Sequence, residues 1–501
     1  MKLSPRPTSI VIGGLCMTIA LMTAWRTSTA DEPESGAETK SQPEAAAAAE
    51  NSVKPKQYHE AHRPQFHFTP AENWTNDPNG LVYFDGEYHL FFQHNPHGIN
   101  WGNMTWGHAV SSDLLHWKQL ENAILPDKLG TIFSGSAVID TKNSSGFQKG
   151  DDPPMVAIYT YAGDFGMPKT KFTQAIAYSN DRGRTFTKYE QNPVVEHILA
   201  ANRDPKVIWH EPSSQWVMAL YLDVAKFVLM GSKDLKKWTK LSDVPFPKGH
   251  ECPEFFELAV DGDDKNRRWV FWEGAGRYLL GQFDGQTFTP EGEVLRSEWG
   301  QNCYAGQTWN NIPESDGRRI FIGWMRGGSY PEMPFNQQMT VPRELTLRTT
   351  DDGIRLFSEP IRELETLRGG RHSWANTPLA PGENPLRSVR GDLFDIVANI
   401  EPGAASSIEF NIRGLPLTYD AAKQTLTCKK RSAKVPLVEG ELQLRMLVDR
   451  TSLEVFAANG QIVMSYCFIA DPANQDLSLT ASGGAARIKS LDLYELKSTW
   501  P

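Results

Sequence analysis

Residues 81–93, Leu-Val-Tyr-Phe-Asp-Gly-Glu-Tyr-His-Leu-Phe-Phe-Gln, form two apolar runs separated by Asp85-Gly86. An Asp-Gly pair readily adopts the positive φ angles of a tight turn whose twist matches that of the flanking strands. The stretch therefore predicts a β-hairpin. Short runs of this kind recur up to about residue 350, whereas 3.6-residue helical patterns are scarce, so the sequence predicts an all-β fold.

A weak repeat accompanies these strands. A polar turn followed by an aromatic residue recurs every several dozen residues, at Ser112-Asp113 with Trp117, Ser179–Asp181 with Phe186, Ser232–Asp234 with Trp238, and Asp284-Gly285 with Phe288. The spacing suits one four-stranded blade per repeat and favours a β-propeller over residues 58–350. Unrelated surface turns would give the same short pattern, so the repeat alone does not decide between the two.

The C-terminal part shows a second set of strands. Residues 355–368 predict a short helical connector within residues 351–370. Strand patterns follow at 408–412, 442–448, 453–456, 462–468 and 488–496. They predict an antiparallel β-sandwich in residues 371–501, which is a normal size for one domain.

The N-terminus predicts export. Lys2 and Arg6 precede an apolar stretch over residues 10–25, and Ser28-Thr29-Ala30 forms a small-x-small cleavage pattern. The stretch is too short and too interrupted to remain in a membrane. Residues 1–30 therefore predict a signal peptide, residues 31–57 a disordered linker, and the mature chain a secreted, periplasmic or cell-surface protein without stable membrane insertion.

Composition narrows the class of partner. The formal net charge is −9 and basic clusters are absent, which argues against nucleic acid as a partner. The 15 tryptophans suit a sugar-binding protein, although most would equally serve an aromatic-rich core. Beyond Cys16, the four cysteines Cys252, Cys303, Cys428 and Cys467 contain no CxxC pair, so no zinc or redox centre is predicted. The sequence leaves a Cys428–Cys467 disulfide open.

Three acidic motifs in the first half suit glycoside cleavage, which needs one ionised and one protonated carboxyl group. Asp77 lies in Trp-Thr-Asn-Asp-Pro-Asn-Gly (74–80), which predicts a stiff turn; alone, it is equally an ordinary polar turn. Asp204 follows Arg203, whose charge would keep it ionised, although a surface ion pair would look the same.

The third motif is His-Glu-Cys-Pro-Glu-Phe-Phe (250–256). Its apolar neighbours predict a partly buried Glu251 with a raised pKa, as an acid catalyst requires. Glu254 is the competing candidate for this role. A zinc protease site is excluded, because the second histidine of HExxH is absent and Pro253 would break the helix that it needs.

Taken in order, these motifs closely resemble glycoside hydrolase family 32, the family of invertases, inulinases and levanases. The first motif differs from the family's Trp-Met-Asn-Asp-Pro-Asn-Gly only at Thr75. Further matching motifs stand at residues 90–96, 101–102, 133–136, 323–325, 342–345 and 448–456 (Val-Asp-Arg-Thr-Ser-Leu-Glu-Val-Phe). The resemblance covers nearly the whole chain after the linker.

The resemblance implies a five-bladed β-propeller catalytic domain followed by an antiparallel β-sandwich, and a retaining hydrolysis that uses no metal or cofactor. It implies Asp77 as nucleophile, Asp204 as transition-state stabiliser and Glu251 as general acid/base, with Cys252 as a reduced thiol that tunes Glu251. The substrate-binding residues that it implies are Trp74, Asn76, Gln93, Trp101, Phe133, Ser134, Arg203 and Trp324.

One position departs from the family pattern: Asn302 stands where many members carry an aspartate before Phe-Tyr-Ala. The loss of this charge puts specificity or affinity at that edge of the site in doubt. The implied substrate is a fructan (levan or inulin) or sucrose, and the implied protein is a monomer or dimer. A fructosyltransferase and a non-catalytic fructan-binding protein are the alternatives, the second weakened by the retention of all three carboxyl groups.

Overall fold

The computed structural model describes residues 58–163, 171–247 and 249–501, so the predicted signal peptide and linker lie outside the described residues. Apart from the 3₁₀ helices Glu211–Ser213 and Arg362–Leu367, the regular elements in this part of the chain are strands. Within the same residues, no helix has the length and apolar character to cross a membrane.

The N-terminal half contains five groups of antiparallel strands, the blades of a propeller. Blade 1 is β1 (Asn73–Phe84), β2 (Glu87–Asn95), β3 (Thr105–Ser111) and β4 (Lys118–Ile124). Blade 2 is β5 (Thr131–Ile139), β6 (Met155–Ala162), β7 (Thr173–Ser179) and β8 (Thr187–Lys188). Blade 3 is β9 (Arg203–His210), β10 (Gln215–Asp223), β11 (Lys226–Ser232) and β12 (Thr239–Pro245).

Blade 4 is β13 (Glu254–Val260), β14 (Asp263–Trp272), β15 (Arg277–Phe283) and β16 (Phe288–Arg296). Blade 5 is β17 (Tyr304–Thr308), β18 (Arg319–Trp324), β20 (Arg343–Thr350) and β21 (Gly353–Pro360), while the short β19 (Phe335–Asn336) pairs with the start of β1. The first strands of the blades contact one another in a cycle, β1–β5–β9–β13–β17–β1, which places them around a central axis.

The sequence repeat marks corresponding turns of four blades. Its members follow β3, β7, β11 and β15, the third strand of each blade. In the first three, the serine that ends the strand donates a hydrogen bond to an aspartate two residues later, at 2.9 Å in Ser111–Asp113, 2.6 Å in Ser179–Asp181 and 3.2 Å in Ser232–Asp234. The pattern therefore comes from the blades and not from unrelated surface turns.

Two predicted local structures are corrected. Residues 353–360 form β21, paired along its length with β20, so the predicted helix over 355–368 is wrong except for the 3₁₀ helix at its end. Asp77 lies within β1 at a register shift between Thr75 and Pro78, not in a turn before the strand. The hairpin of residues 81–93 is confirmed, with Val82 opposite His89 and Phe84 opposite Glu87.

The C-terminal half is a sandwich of two antiparallel sheets, ordered β22-β32-β23-β28-β29-β30 and β27-β26-β25-β24-β31. Its strands are β22 (Arg368–Leu379), β23 (Phe394–Glu401), β24 (Ser407–Ile412), β25 (Leu415–Asp420), β26 (Thr425–Cys428), β27 (Arg431–Lys434), β28 (Leu442–Asp449), β29 (Ser452–Ala457), β30 (Ile462–Cys467), β31 (Leu477–Ser482) and β32 (Ala486–Leu496). Inward-facing residues of both sheets, among them Phe410, Leu417 and Met446, form one buried core. Buried residues alternate with more exposed ones along strands such as β25, as an aligned sandwich requires.

A buried ionic network joins propeller and sandwich. His67 lies between two sandwich carboxylates, with Nδ1 2.8 Å from Asp449 and Nε2 2.9 Å from Glu454. Arg343 of β20 contacts Glu454 and, at 2.9 Å, Glu298. Both sandwich carboxylates belong to the 448–456 motif, so that motif has a structural role in this fold.

The network predicts a loss of stability at alkaline pH. Burial alone would lower the pKa of His67, but the hydrogen bonds and charges of Asp449 and Glu454 outweigh it and raise this pKa to about 9. A histidine with a folded pKa above its unfolded value of about 6.5 stabilises the fold by roughly 3 kcal/mol below pH ~6.5, and the contribution disappears as the pH rises through ~9. Urea unfolding at a series of pH values should show this decline, and it should be flatter in His67→Gln.

His372 provides the control, because its side chain is 40% exposed beside Glu495. His372→Gln should keep the wild-type pH profile of the free energy of unfolding. Equal profiles for wild type and His67→Gln would contradict the role given to the network.

Candidate active site

The starts of the five first strands surround a cavity of about 470 Å³. Asp77 comes from β1, Ser134 from β5, Asp204 from β9, Glu251 from the segment before β13, and Tyr304 from β17. Ten of the eleven predicted site residues line it: Asn76, Asp77, Gln93, Trp101, Phe133, Ser134, Arg203, Asp204, Glu251 and Trp324. The eleventh, Trp74, lies behind Asn76 and donates its indole N–H to the Asn76 side chain at 2.8 Å.

Both oxygens of Asp77 are held. Asn76 Nδ2 donates to Oδ1 at 3.0 Å, and the Ser134 hydroxyl donates to Oδ2 at 2.6 Å. Burial raises the pKa of Asp77, and these two hydrogen bonds oppose the rise. The carboxylate is thus fixed in orientation and faces the cavity with few degrees of freedom left.

Asp204 and Cys252 meet in strained backbone. Both residues have positive φ angles, 62° and 57°, which non-glycine residues seldom adopt outside functional or tightly constrained sites. The Cys252 N–H donates to Asp204 Oδ2 at 3.2 Å. The Cys252 thiol lies 3.4 Å from the same oxygen and 3.8 Å from Asp77 Oδ2. This backbone conformation therefore places two donors of Cys252, its N–H and its thiol, beside the buried Asp204 carboxylate.

The hydrogen bonds of the Cys252 thiol go to Asp204 and Asp77. Burial, followed by the charges of Asp204 and Asp77, raises the pKa of Cys252 well above its ordinary value, so the group is a thiol and not a nucleophilic thiolate. Cys428 and Cys467 are both free, which settles the disulfide that the sequence left open.

Glu251 is held from two sides. Arg203 contacts one carboxylate oxygen, and the Tyr304 hydroxyl donates to the other at 3.0 Å. Burial raises the pKa of Glu251, but the charge and hydrogen bond of Arg203 and the hydrogen bond of Tyr304 outweigh it, so the net pKa is lowered. The predicted upward shift of the Glu251 pKa is therefore wrong.

Of the two carboxyl groups, Asp204 holds a proton more readily than Glu251. Burial raises the pKa of Asp204 to about 7, and Arg203, whose Nε is 3.6 Å away, offsets only part of this rise. The sequence prediction that Arg203 lowers the pKa of Asp204 and so keeps it ionised is thus wrong, because Arg203 also contacts Glu251.

Glu254, the competing acid candidate, points away from the cavity. It is fully buried and pairs with Lys206 Nζ at 2.8 Å, while its other oxygen accepts the Thr308 N–H at 2.5 Å. It is absent from the residues that line the cavity. Its charge compensates Lys206 within the propeller core.

Breaking this pair should destabilise the propeller without disabling the site. Glu254→Gln leaves the Lys206 charge buried without its counter-ion, so we expect a loss of roughly 3–5 kcal/mol in the free energy of unfolding. The double variant Lys206→Met with Glu254→Gln should recover most of it and retain near-normal kcat. An inactive but folded double variant would restore Glu254 as an acid candidate. Denaturant unfolding and initial rates measure both quantities.

The remaining walls combine aromatic faces with one free amide. Trp101 at the rim, 43% exposed, leads to Phe133 and then Phe172, with ring centroids 5.9 and 5.6 Å apart. Gln93 is 2% exposed, and within the described residues its Nε2 has no hydrogen-bond partner. Such a site offers apolar stacking and one unsatisfied donor to a polyhydroxylated ligand.

Sequence reasoning gave no role to four lining residues: Phe172, Ala201, Tyr304 and Arg326. Tyr304 belongs to the motif that follows Asn302, but nothing in the sequence linked its hydroxyl to Glu251. Arg326 lies 4.6 Å from the Tyr304 ring centroid and follows the 323–325 motif directly. Asn302 itself is buried, accepting from Cys467 N–H and donating to the Arg326 carbonyl, so it acts on the site through Arg326.

The described residues contain no group of three or more His, Cys, Asp and Glu side chains arranged to hold a metal ion.

Comparison with known proteins identifies the family. The chain matches the N-terminal domain of glycosyl hydrolases family 32 over residues 67–360 and the family's C-terminal domain over residues 363–495. It is 39% identical to a levanase of Bacillus subtilis over 88% of this chain and 72% of that protein. It is 32% identical to an extracellular exo-inulinase of Aspergillus ficuum over 88% of this chain and 96% of that protein.

Solved structures with a similar fold point to the same family. The exo-inulinase of Aspergillus awamori superposes with a TM-score of 0.80 at 30% identity, covering 89% of this chain and all of that one. A fructofuranosidase of Schwanniomyces occidentalis in complex with fructose gives a TM-score of 0.77 at 26% identity over the same share of this chain. With matches in both domains and a site that brings the motif carboxylates together, the chain belongs to glycoside hydrolase family 32.

Proposed function

We propose that this chain hydrolyses β-fructofuranosidic bonds in fructans or sucrose by double displacement. The observation that carries the proposal is the pairing of two fixed carboxyl groups in one cavity, Asp77 held by Asn76 and Ser134, and Glu251 held by Arg203 and Tyr304. Retaining glycosidases need this division between a nucleophile and an acid/base. The cavity volume lies in the lower part of the roughly 300–1,000 Å³ range of small-ligand sites.

In the first step, Asp77 attacks the anomeric carbon of the terminal fructofuranosyl unit while Glu251 gives its proton to the leaving oxygen. The carbon–oxygen bond breaks, and an ester forms between the fructosyl unit and Asp77. Ionised Asp204 stabilises the positive charge that develops on the ring. In the second step Glu251 takes a proton from water, which attacks the ester and releases fructose.

Substrate binding supplies Glu251 with its proton. Sugar hydroxyls that donate hydrogen bonds to Asp204 favour its ionised form, and a negative charge on Asp204 in turn favours protonation of Glu251. The site thus exchanges a proton between two interacting carboxyl groups when water is replaced by sugar.

Tyr304→Phe tests whether Glu251 is the group whose proton is needed for cleavage. The hydroxyl lowers the pKa of Glu251, so its removal should raise that pKa and keep the acid protonated to higher pH. We expect the alkaline limb of the kcat/KM profile to move to higher pH. An unchanged alkaline limb would mean that another group carries the proton.

The exo-inulinase relatives support terminal attack on a fructan, and the levanase relative supports levan as a substrate. The extracellular relatives support export through the predicted signal peptide. We further propose that the propeller, with its boundary near residue 361, carries the chemistry.

Timed product analysis on levan, inulin and sucrose tests the proposed function. We expect fructose to be the sole early product from the two fructans. Early oligosaccharides would indicate internal attack, longer products at high sucrose would indicate fructosyl transfer, and no cleavage of any of the three would refute the proposal.

A further inference from the structure

Two positively charged side chains line the active-site cavity, and the proposed mechanism uses only Arg203 of the pair. The other, Arg326, lies in the loop after β18 and is exposed. Its guanidinium carbon is 4.6 Å from the Tyr304 ring centroid and 5.8 Å from that of Trp324. These two rings meet edge to face, with centroids 6.3 Å apart. Arg326 therefore lies against both aromatic walls on the side of the cavity where Tyr304 contacts the acid/base.

Arg326 has no counter-ion in the part of the chain that the structure describes. Its guanidinium group forms no hydrogen bond there and no ion pair within 4 Å. Arg326 also lines a second cavity, of about 350 Å³, whose one acidic residue is Glu298. That carboxylate is bound by Arg343 at 2.9 Å and by the Ser465 N–H at 2.9 Å. The charge of Arg326 is therefore free to act on the carboxyl groups of the active-site cavity.

The backbone of Arg326 is anchored to the sandwich. Its carbonyl accepts a hydrogen bond from Asn302 Nδ2 at 2.7 Å, and Asn302 Oδ1 accepts the N–H of Cys467 in β30 at 2.9 Å. The N–H of Gly327, the next residue, donates to Gln337 Oε1 at 3.2 Å. An amide donates and accepts at once, whereas an ionised aspartate only accepts. Asn302 thus fixes the loop without bringing a negative charge to Arg326.

Tyr304 connects Arg326 to Glu251, because its hydroxyl donates to the Glu251 carboxylate at 3.0 Å. Burial raises the pKa of Glu251, while Arg203, the Tyr304 hydroxyl and the charge of Arg326 lower it. The charged and titratable groups that face Glu251 are Asp77 of β1, Arg203 and Asp204 of β9, Tyr221 of β10, Cys252, Tyr304 of β17 and Arg326. Arg326 favours the ionised form, which Glu251 takes once it has protonated the leaving oxygen.

We propose that Arg326 is a positioning residue of the acid/base, holding the Tyr304 phenol against Glu251 and stabilising the carboxylate that remains after proton transfer. A cation over the face of a tyrosine ring is attracted by the ring electrons, so Arg326 restricts the movement of the ring. Arg326 itself exchanges no proton: Glu251 gives its proton to the leaving oxygen and regains one from water in the second step. This inference rests on the proposed function and adds a residue to it.

Arg326→Gln tests this role through the pH dependence of kcat/KM for sucrose at low ionic strength. Loss of the cation should raise the pKa of Glu251, so the acid should stay protonated to higher pH and the alkaline limb should move up. On that limb, kcat/KM relative to its plateau should be about two- to five-fold higher than in wild type, the scale of an exposed cation–ring contact. Arg326→Lys keeps the charge and should restore most of the wild-type limb.

Added salt should shrink the difference between wild type and Arg326→Gln, because Arg326 is exposed. Combining Arg326→Gln with Tyr304→Phe should move the limb by less than the sum of the two single effects, since part of the influence of Arg326 passes through the phenol. Fully additive effects would show that Arg326 does not act through Tyr304.

Arg296→Gln is the matched control. Arg296 is an exposed arginine that lines the second cavity but not the active-site cavity. Its replacement removes the same charge without touching the contact with Tyr304, so the alkaline limb should stay in place. Equal movement in Arg296→Gln and Arg326→Gln would mean that Glu251 responds to net charge, which would overturn the inference.

An unmoved alkaline limb in folded Arg326→Gln would also overturn it. A raised KM with an unmoved limb would make Arg326 a substrate-binding residue only, and an equal loss of kcat at every pH would make it a structural one. Each of these results requires sucrose hydrolysis by the wild type and leaves the proposed function intact. No cleavage of sucrose, levan or inulin by the wild type would refute the proposed function and this inference with it.

Discussion

Asp77→Asn should lower kcat/KM for sucrose by at least about 10⁴-fold, the scale seen when a covalent catalyst loses its nucleophile. The amide is nearly isosteric but cannot attack the anomeric carbon to form an ester. Because Asp77 is only half-buried and accepts hydrogen bonds from just two side chains, the melting temperature should change by a few degrees at most. Initial rates at high enzyme concentration and thermal unfolding measure the two effects.

Ser134→Ala is the matched control for this variant. It removes one hydrogen bond to Asp77 and leaves the carboxylate in place, so we expect a loss of about ten-fold. A folded Asp77→Asn enzyme with activity within ten-fold of wild type would contradict the assignment of the nucleophile.

Glu251→Ala should lower kcat/KM for sucrose by roughly 10²–10⁴-fold, the usual contribution of a general acid/base. The loss should be much smaller for formation of the covalent intermediate from an aryl β-fructofuranoside, since a phenolate leaves without protonation. Azide should then accelerate turnover by replacing the water that Glu251 activates, with fructosyl azide as the product.

In Asp77→Asn, azide should not restore formation of a product with retained anomeric configuration, because this variant cannot form the fructosyl ester. Mass spectrometry of the products distinguishes fructose from fructosyl azide. Equal losses on sucrose and on the aryl fructoside, without azide rescue, would assign the acid/base role to another residue.

Local pattern predicted much of this fold. The hairpin at residues 81–93 and the strands of most blades follow from apolar runs and turn residues that act over a few positions. The predicted helix over residues 355–368 is wrong over residues 355–360, which belong to β21. The strand Gly353–Pro360 forms a hairpin with β20, the strand directly before it, through a turn at residues 351–352. Its partner is therefore local in sequence, and the Asp352-Gly353 pair is the signal for the turn.

The motif order also predicted which carboxyl groups meet, but not their protonation. Arg203 stands next to Asp204 in the chain, which suggested that it serves Asp204. In the fold it reaches across to Glu251, so it lowers the pKa of the acid and leaves burial to raise that of Asp204. Such a contact spans blades 3 and 4 and has no signature in local sequence.

Phe172 carries no recognisable signal in the sequence, and Arg326 is marked only by its place after the 323–325 motif, because each reaches the cavity from a loop whose course depends on the assembled propeller. The second cavity, lined by Arg296 of blade 4, Arg326 of the loop after β18 and Arg431 of the sandwich, is the clearest case, because only the packing of the two domains brings its walls together.

The covalent intermediate on Asp77 is the central claim, and trapping it is the most direct test. Glu251→Ala should be mixed with an aryl β-fructofuranoside, quenched in acid, digested and examined by mass spectrometry. We predict one fructosyl unit esterified to the peptide that contains Asp77, appearing in a burst together with the released phenol. A burst of phenol with an unmodified Asp77 peptide, or with the sugar on another carboxylate, would contradict the account.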